Sequence, residues 1–557
     1  MCDFLQQLNK QKDECNIVFV VTIFFIVTSF AYVPFFVDDI IYPKILSFGS
    51  IGMLLLLFSK GDMAIYLCEK KLVWSVLALL FYILVRHNGY FSVFVPIILV
   101  SVMLLLFFSE RKVPNDVVGR ASLIVSIGAV IICSAQSFGL MRFYESFLFT
   151  GIFDNPSGVS VLMSLCFPFV LEQWFKDRSW TTMVIIVLIV MCVVLIQSRS
   201  GILAMLLSSL MVIDINKKVN SKQTVLVLSV GLLLLICLFV LKNNSTMGRF
   251  FLYSNTLTLL KKNLFLGYGP WGYETNVMNI QAEYFMKHKL SVYGDLAGEM
   301  RHPLCEPLLL LVNYGLVGFF LLLWICSEIY KSWKQRRSVW HCCLAAFVVQ
   351  SLFTYTMRYP STWFVVILCL SQIVSGTQGI KVKKFVLPKG IVIVVLLWGS
   401  LAIGNDAKYE YQWYRQTKQE EVDLVSLEQM ANNWNGNPLF FRSYAEILQN
   451  EFLFDRSNNM LERYNQYIID FNSQIMIADN YYAMGQYKEA MSYYYKASYM
   501  CPVRFVPMKG MMRTYRRMDM NEEACQIARD IILKKPKINS FDVELIKSEA
   551  RKQLWQK

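Results

Sequence analysis

Apolar positions along this chain fall in long blocks rather than at the spacing of a soluble helix face. A bilayer-spanning helix needs about 20 mainly apolar residues. Thirteen blocks approach that length, centred near Thr28, Gly52, Leu79, Leu99, Ile131, Leu165, Leu188, Leu206, Leu233, Gly318, Ala346, Ile367 and Val395. Those around Gly52, Leu79, Leu206 and Ile367 are short. The first block starts at Ile17 after a polar stretch and carries no small-residue cleavage site, so it reads as an uncleaved anchor. Beyond residue 404 the blocks stop and polar residues recur at helical spacing. The pattern predicts an all-α chain. A polytopic membrane domain of about 13 transmembrane helices occupies residues 1–404, and a water-exposed helical domain occupies 405–557.

Composition narrows the class. Of 557 residues, 55% are hydrophobic and only 17% charged, with a mean hydropathy of +0.43. Soluble domains carry about 25% charged residues. An ordinary soluble enzyme, a disordered chain and a secreted disulfide scaffold are therefore excluded. The net charge is +14. Residues 405–557 are nearly neutral, with 21 Lys/Arg against 20 Asp/Glu, so the basic excess lies in the apolar part. It also alternates. With the N-terminus inside, the inner gaps and N-terminal tail hold 21 Lys/Arg. The short outer gaps hold one each: Lys44, Arg86, Arg142, Arg199 and Arg358. This is the positive-inside bias of a membrane protein, not a nucleic-acid footprint. It predicts a long outer loop at about 242–302 and places 405–557 outside as well. In a bacterium that is the periplasmic face of the inner membrane. Eight of the 14 Cys lie inside apolar runs, and the four His do not cluster, so no metal site and no cofactor are expected.

Within 405–557, the segment NSQIMIADNYYAMGQYKEAMSYYYKASYMCPVR at 472–504 resembles a tetratricopeptide repeat. Ala478, Tyr481, Gly485, Tyr487, Ala490, Tyr494, Ala497 and Pro502 fall at its small, aromatic and Pro positions. Ala524 and Pro536 recur 34 residues after Ala490 and Pro502, which is that repeat's period. The clearest repeats span 472–536, and 439–470 reads as a further helical pair. Such arrays bind peptides or protein partners, and a plain helical bundle is the bland alternative.

Charge at membrane depth is costly and marks candidate chemistry. Arg199, in QSRSG, is pinned at the outer surface between two apolar runs, although a snorkelling Arg would look the same. Arg249 opens GRFFLYSNTLTLLKKNLFLGYGPWGYE, whose first part fits a helix at the interface. Gly267 and Gly269 mark a Gly-rich turn, too weak a signal for nucleotide binding. His302 stands at the outer mouth of the Gly318 span, preceded by Arg301 and followed by Glu306. Arg358 sits in another outer link, YTMRYPST. His87, His288 and His341 are less suggestive.

Taken in order, QSRSGILAMLL, GRFFLYSNTLTLLKKNLFLGYGPWGYE and RHPLCEPLLLLVNYGLVGFF, with GIFDNPSGVSVLMSL before them, resemble the O-antigen ligase/polymerase superfamily. The resemblance covers roughly residues 120–375. It implies a metal-independent glycosyltransferase of GT-C-like helical fold, without a cofactor, that takes a glycan from undecaprenyl diphosphate. The hydroxyl acceptor is lipid A–core for a ligase, another repeat unit for an O-antigen or exopolysaccharide polymerase, and Ser or Thr for a protein O-oligosaccharyltransferase. Lipopolysaccharide biosynthesis by a ligase is the leading expectation. Arg199 and Arg249 match the family's two arginines for the diphosphate, with Arg301 and Arg358 adding positive charge. The family's His lies about eleven residues before a G-x-x-G. Here Gly315 and Gly318 form that motif, and counting back eleven reaches Leu304. His302 is two residues early and precedes Pro303. It is the expected base, with Glu306 as the substitute. A transporter is disfavoured because no inverted repeat is evident and acidic residues within spans are nearly absent. A scaffold built around the repeat domain is the remaining alternative.

Overall fold

A computed structural model of the protein describes residues 19–58, 64–67, 71–87, 93–141, 149–216, 229, 231, 243–289, 291–376, 383–386, 389–419, 422–434 and 436–555. The predicted span near Leu233 and the outer residue Arg142 lie outside them. Each of the other twelve predicted blocks falls on an apolar helix. These are α1 (Phe19–Phe30), α2 (Ile41–Phe58), α3 (Lys71–Val85), α4 (Phe94–Ser109), α5 (Asn115–Ser137), α6 (Pro156–Asp177), α7 (Trp180–Leu195) and α8 (Arg199–Asn216). After a long loop come α11 (Glu306–Gln335), α12 (Val339–Ser351), α13 (Pro360–Ser375) and α14 (Lys389–Thr417). By length and composition five are able to cross a membrane: α5, α6, α8, α11 and α14, the last counted from Val392. The other seven are shorter apolar helices. Phe81 and Leu401 turn outward, 68% and 73% exposed, as residues facing lipid tails do. The fold class is all-helical with one addition, a four-residue antiparallel ribbon of β1 (Ala64–Leu67) with β2 (Lys383–Val386).

Polar contacts between the gaps sort into two sets. On one side Lys176 meets Asp116 at 2.8 Å, Arg337 pairs with Asp214, Gln372 Nε2 donates to Phe108 O (2.9 Å) and Arg111 O (2.8 Å), and β1 pairs with β2. Lys176, Asp116, Arg337, Asp214, Arg111 and the two strands belong to gaps predicted to be inner, and Gln372 and Phe108 lie near the ends of the spans beside them. On the other side Arg86 Nη2 donates to Gly267 O at 3.0 Å, Arg199 Nη1 to Thr246 Oγ1 at 3.2 Å, and Arg358 Nε to Asp154 Oδ2 at 2.7 Å. These gaps were all predicted to be outer. The alternation of charge along the chain thus becomes two polar faces of one bundle.

The long loop is itself structured. It holds α9 (Asn243–Lys262), α10 (Gly272–Lys287) and a 3-10 turn at Gly294–Leu296. It also breaks the helix that follows. α11 has non-helical backbone at Gly315 (φ 64°, ψ −166°), a region essentially closed to side-chain-bearing residues. A break frees backbone groups that lipid cannot satisfy, so protein must do so. The 264–269 segment supplies the partners. Leu316 N donates to Leu264 O (3.0 Å), Tyr268 N to Val312 O (3.0 Å) and Gly269 N to Asn313 O (2.7 Å). The two backbones lie so close that a Cβ on Gly267 or on Gly315 would collide with main-chain atoms of the other strand. The Gly-rich turn has the positive φ of a loop turn, 68° at Gly267 and 88° at Gly269, and it is also a splice into α11.

Beyond residue 404, α14 runs unbroken to Thr417 and carries the chain into α15 (Leu424–Asn433), α16 (Pro438–Asn450), α17 (Phe454–Asn465), α18 (Phe471–Ala483), α19 (Tyr487–Met500), α20 (Val506–Arg517), α21 (Asn521–Leu533) and α22 (Phe541–Trp555). The predicted pair in 439–470 is α16 and α17. Ala478, Ala490, Ala497 and Ala524 are fully buried, and Gly485 turns between α18 and α19 at φ 76°. These helices have cores of their own and also share one with the long loop. Leu259, Tyr273, Val277, Met278 and Val312 share one hydrophobic cluster with Phe471, Ala490, Tyr494 and Met511. The outer loop is sandwiched between bundle and C-terminal helices.

Replacing Gly315 with Ala forces a Cβ into the splice. We expect Gly315→Ala to lose about 1–3 kcal/mol, read as a lower melting temperature in detergent. Gly404→Ala, where nothing lies within 4 Å of the added carbon, serves as the control. Equal melting temperatures for both variants would contradict the splice.

Candidate active site

A cleft of about 680 Å³ opens on the face predicted to be outer. Four of the predicted site residues line it: Arg249, Arg301, His302 and Arg358. They come from three separate segments. Asp38, Asp39, Asp154, Glu299 and Tyr355 line it as well, together with Leu439 from α16.

Local structure fixes each. Asn155 caps α6, its side chain accepting from Ser157 N (2.9 Å) ahead of Pro156 in the first turn, and this holds Asp154 at the helix entrance. Asp154 then accepts from Arg358 Nε at 2.7 Å and from Tyr359 OH at 3.0 Å. Burial opposes the Arg358 charge, but Asp154, Asp38 and the phenols of Tyr359 and Tyr355 outweigh it and hold the guanidinium above its usual pKa. Arg358 is a fixed cation.

Its Nη1 lies 3.3 Å from His302 Nε2. A guanidinium only donates, so Nε2 accepts and the imidazole is neutral, with its proton on Nδ1. Nδ1 is buried without a hydrogen-bond partner among the described residues. The ring stacks on Tyr355 with centroids 5.1 Å apart. Burial, then Arg358 and Arg301, lower the His302 pKa to about 3. His302 retains a lone pair at any ordinary pH, but Arg358 occupies it.

Arg199 opens α8 and is not in the lining of the cleft. Gln197 turns the α7–α8 link at φ 57°, and Ser198 Oγ accepts from Gly201 N (3.2 Å) at the helix start. The Arg199 bond to Thr246 reaches the first turn of α9, and Arg249 lies one turn further along. The two guanidinium groups are close enough to repel one another. Arg249 Nε is buried and has no hydrogen-bond partner among the described residues. Two guanidinium groups this close suit an anion such as a phosphate.

Arg301 is held differently. Its Nη2 donates to Asp470 Oδ2 at 2.9 Å, and Glu299 Oε2 lies at 3.8 Å. Glu306, at the start of α11, accepts from Met357 N at 2.7 Å and is not in the lining. Gly267 and Gly269 serve the splice. His288 bonds back to Tyr284 O, His341 to Ser338 and Ser332, and His87 stacks on Phe94, all away from the cleft. Among the described residues no three His, Cys, Asp or Glu side chains converge as a metal-binding group.

Sequence reasoning missed the acidic wall. Asp154 and the Asp38–Asp39 pair sit at the ends of apolar blocks, so the argument used for Arg199 would have found them. Asp38 Oδ1 accepts from Ile41 N (2.8 Å) at the start of α2, and burial followed by Asp38 raises the Asp39 pKa. Glu274 on α10 gave no signal in the sequence. Its Oε2 is buried without a partner among the described residues, and burial pushes it to about 7 against the pull of its own backbone and Arg358.

No curated protein matches the chain. Among solved structures, a chain in the crystal structure of the APC/C hetero-tetramer Cut9–Hcn1 matches at 10% identity over 91% of this chain and 84% of that chain. Its TM-score of 0.20 is too low to carry an argument about the fold. Residues 184–323, which include Arg199, Arg249, Arg301, His302 and Glu306, match the family model for O-antigen ligase, Wzy_C, and the chain carries a domain of that family.

Proposed function

We propose that this protein transfers a glycan from undecaprenyl diphosphate to a hydroxyl of lipid A–core at the periplasmic face of a bacterial inner membrane. The N-terminus is then cytoplasmic and residues 405–557 periplasmic. The O-antigen ligase domain supports ligase- or polymerase-type glycan chemistry in general. The observation that favours transfer in this chain is the cleft, which gathers Arg249, Arg301, Arg358 and His302 from distant segments.

The acceptor oxygen attacks C1 of the donor sugar. The new C1–O bond forms as the old one to the diphosphate breaks, and its electron pair leaves with the diphosphate. Direct displacement inverts the anomeric centre. Arg249, with Arg199 close by, faces the growing negative charge, and preorganised cations at that position lower the barrier. The acceptor proton goes to His302 Nε2. In the structure Arg358 holds that lone pair. An arriving diphosphate competes for the guanidinium and cancels the positive charge around the ring. Donor binding thus frees the base and raises its pKa. No metal is required for any of these steps.

Gel analysis of glycans from a deletion strain tests the acceptor. Polymer accumulating on undecaprenyl diphosphate with bare lipid A–core supports the ligase. Single repeat units on the core would make it a polymerase, and unglycosylated proteins with normal lipopolysaccharide a protein transferase. Unchanged glycans would overturn transfer altogether.

Two outcomes follow for the purified protein. Arg249→Ala should lower kcat by about 10²–10³-fold, the range for removing one charge-stabilising donor. Arg199→Ala, outside the lining, should cost less; the reverse order would contradict this placement. The acid limb of the rate profile should also split. With donor varied, the kcat/KM limb reports His302 in the free protein and should fall well below pH 6.5, because the ring protonates only near its lowered pKa of about 3. The kcat limb reports the donor complex and should lie at higher pH. Coincident limbs near pH 6.5 would show that the arginines do not control this base.

A further inference from the structure

The cleft is clamped from outside by two buried carboxylates that the transfer chemistry does not use. Asp470, 1% exposed, sits at the start of α18. Its Oδ1 accepts from Ser473 N at 2.8 Å, as a helix cap. Its Oδ2 accepts from Tyr464 OH at 2.7 Å and from Arg301 Nη2 at 2.9 Å, with Arg442 Nη1 at 3.8 Å. The capping half belongs to the C-terminal helices. The other half reaches out of them and holds the residue next to His302.

The second carboxylate is Glu410, fully buried on α14. Its Oε2 accepts from Val37 N at 2.7 Å, and its Oε1 from Asn437 Nδ2 at 3.1 Å. Asn437 caps α16, whose Leu439 lines the cleft. Val37 leads directly into Asp38 and Asp39. One turn earlier on α14, fully buried Asp406 accepts from Tyr42 OH and from Trp434 Nε1 (3.2 Å), fastening the same outer segment to the end of α15. Every oxygen of these three carboxylates has a partner. Buried charge is costly unless satisfied in this way, so the contacts fix geometry rather than merely fill space.

We propose that Asp470 and Glu410 are positioning residues of the transfer site: the C-terminal helices set both walls of the cleft, the Arg301–His302 wall through Asp470 and the Val37–Asp39 wall through Glu410. On this account the repeat-like helices are a constituent of the active site and not an attached module. The proposal rests on the transferase reading above for its catalytic readout, and on the cleft alone for its binding readout.

The test is a double-mutant cycle in the full-length protein, with melting temperature followed alongside. Asp470→Asn keeps the capping oxygen and removes the charge that holds Arg301. A misplacement of about 1 Å at a site can cost about 10²-fold in rate, so Asp470→Asn should lower kcat/KM by roughly 10- to 100-fold, with a melting temperature close to wild type. Asp470 acts through Arg301. Asp470→Asn should therefore cost nothing further in an Arg301→Ala background. Additive losses, or full activity in Asp470→Asn, would overturn the proposal. Glu410→Gln, which keeps one accepting oxygen, should retain more activity than Glu410→Ala at equal melting temperature. Equal activity of the two would overturn the Glu410 half. If the wild type transfers no glycan, the transferase reading fails, and binding of undecaprenyl diphosphate in nanodiscs decides. Weaker binding by Asp470→Asn than by wild type supports positioning, and equal binding removes it.

Discussion

The backbone of a membrane chain has no water to satisfy it, and one break in one helix organises the outer half of this protein. Gly315 interrupts α11, and the backbone of residues 264–269 closes the gap with three hydrogen bonds. That splice fixes where the long loop returns to the bundle. It sets α9 on one side, so Arg249 faces Arg199. It sets α10 on the other, against the C-terminal helices. The segment that follows, with Arg301 and His302, then crosses to meet Arg358.

The electrostatics of the cleft follow from that arrangement. Arg358 is committed to Asp154 and the neutral ring of His302, Arg301 is committed to Asp470, and Arg199 and Arg249 stand close enough to repel one another. The cleft thus carries both signs, with Arg249, Arg301 and Arg358 as its cations and Asp38, Asp39 and Asp154 as its carboxylates. A diphosphate fits the first, and hydroxyl groups, which donate to carboxylates, fit the second. The same charges give His302 its behaviour. On the proposed reading, a base whose lone pair is held by a cation is released when an anion takes that cation, which ties proton transfer to donor binding.

Much of this was legible in the sequence because membranes simplify the problem. Apolar blocks of bilayer length announce helices, and single arginines stranded between them announce an outer surface. Arg249, Arg301, His302 and Arg358, all in gaps predicted to be outer, line one cleft that Arg199 does not line. Glu306 does not join them, because its carboxylate caps the Met357 N–H. The break at Gly315 was hidden inside a run that reads as one continuous span, and only the positive φ reveals it. Asp470 and Glu410 were invisible for another reason. They are ordinary acids in a near-neutral helical region, and their partners lie 169 and 373 residues away in sequence. Contacts at that range leave no local pattern.

The most direct test of the central claim places purified protein in proteoliposomes with undecaprenyl-diphosphate-linked glycan and lipid A–core, and follows the lipid products by mass spectrometry. The account predicts release of undecaprenyl diphosphate in step with glycosylated core, the new linkage inverted at the anomeric carbon. Donor that crosses the bilayer intact, with no undecaprenyl diphosphate released, would contradict it and point to transport instead.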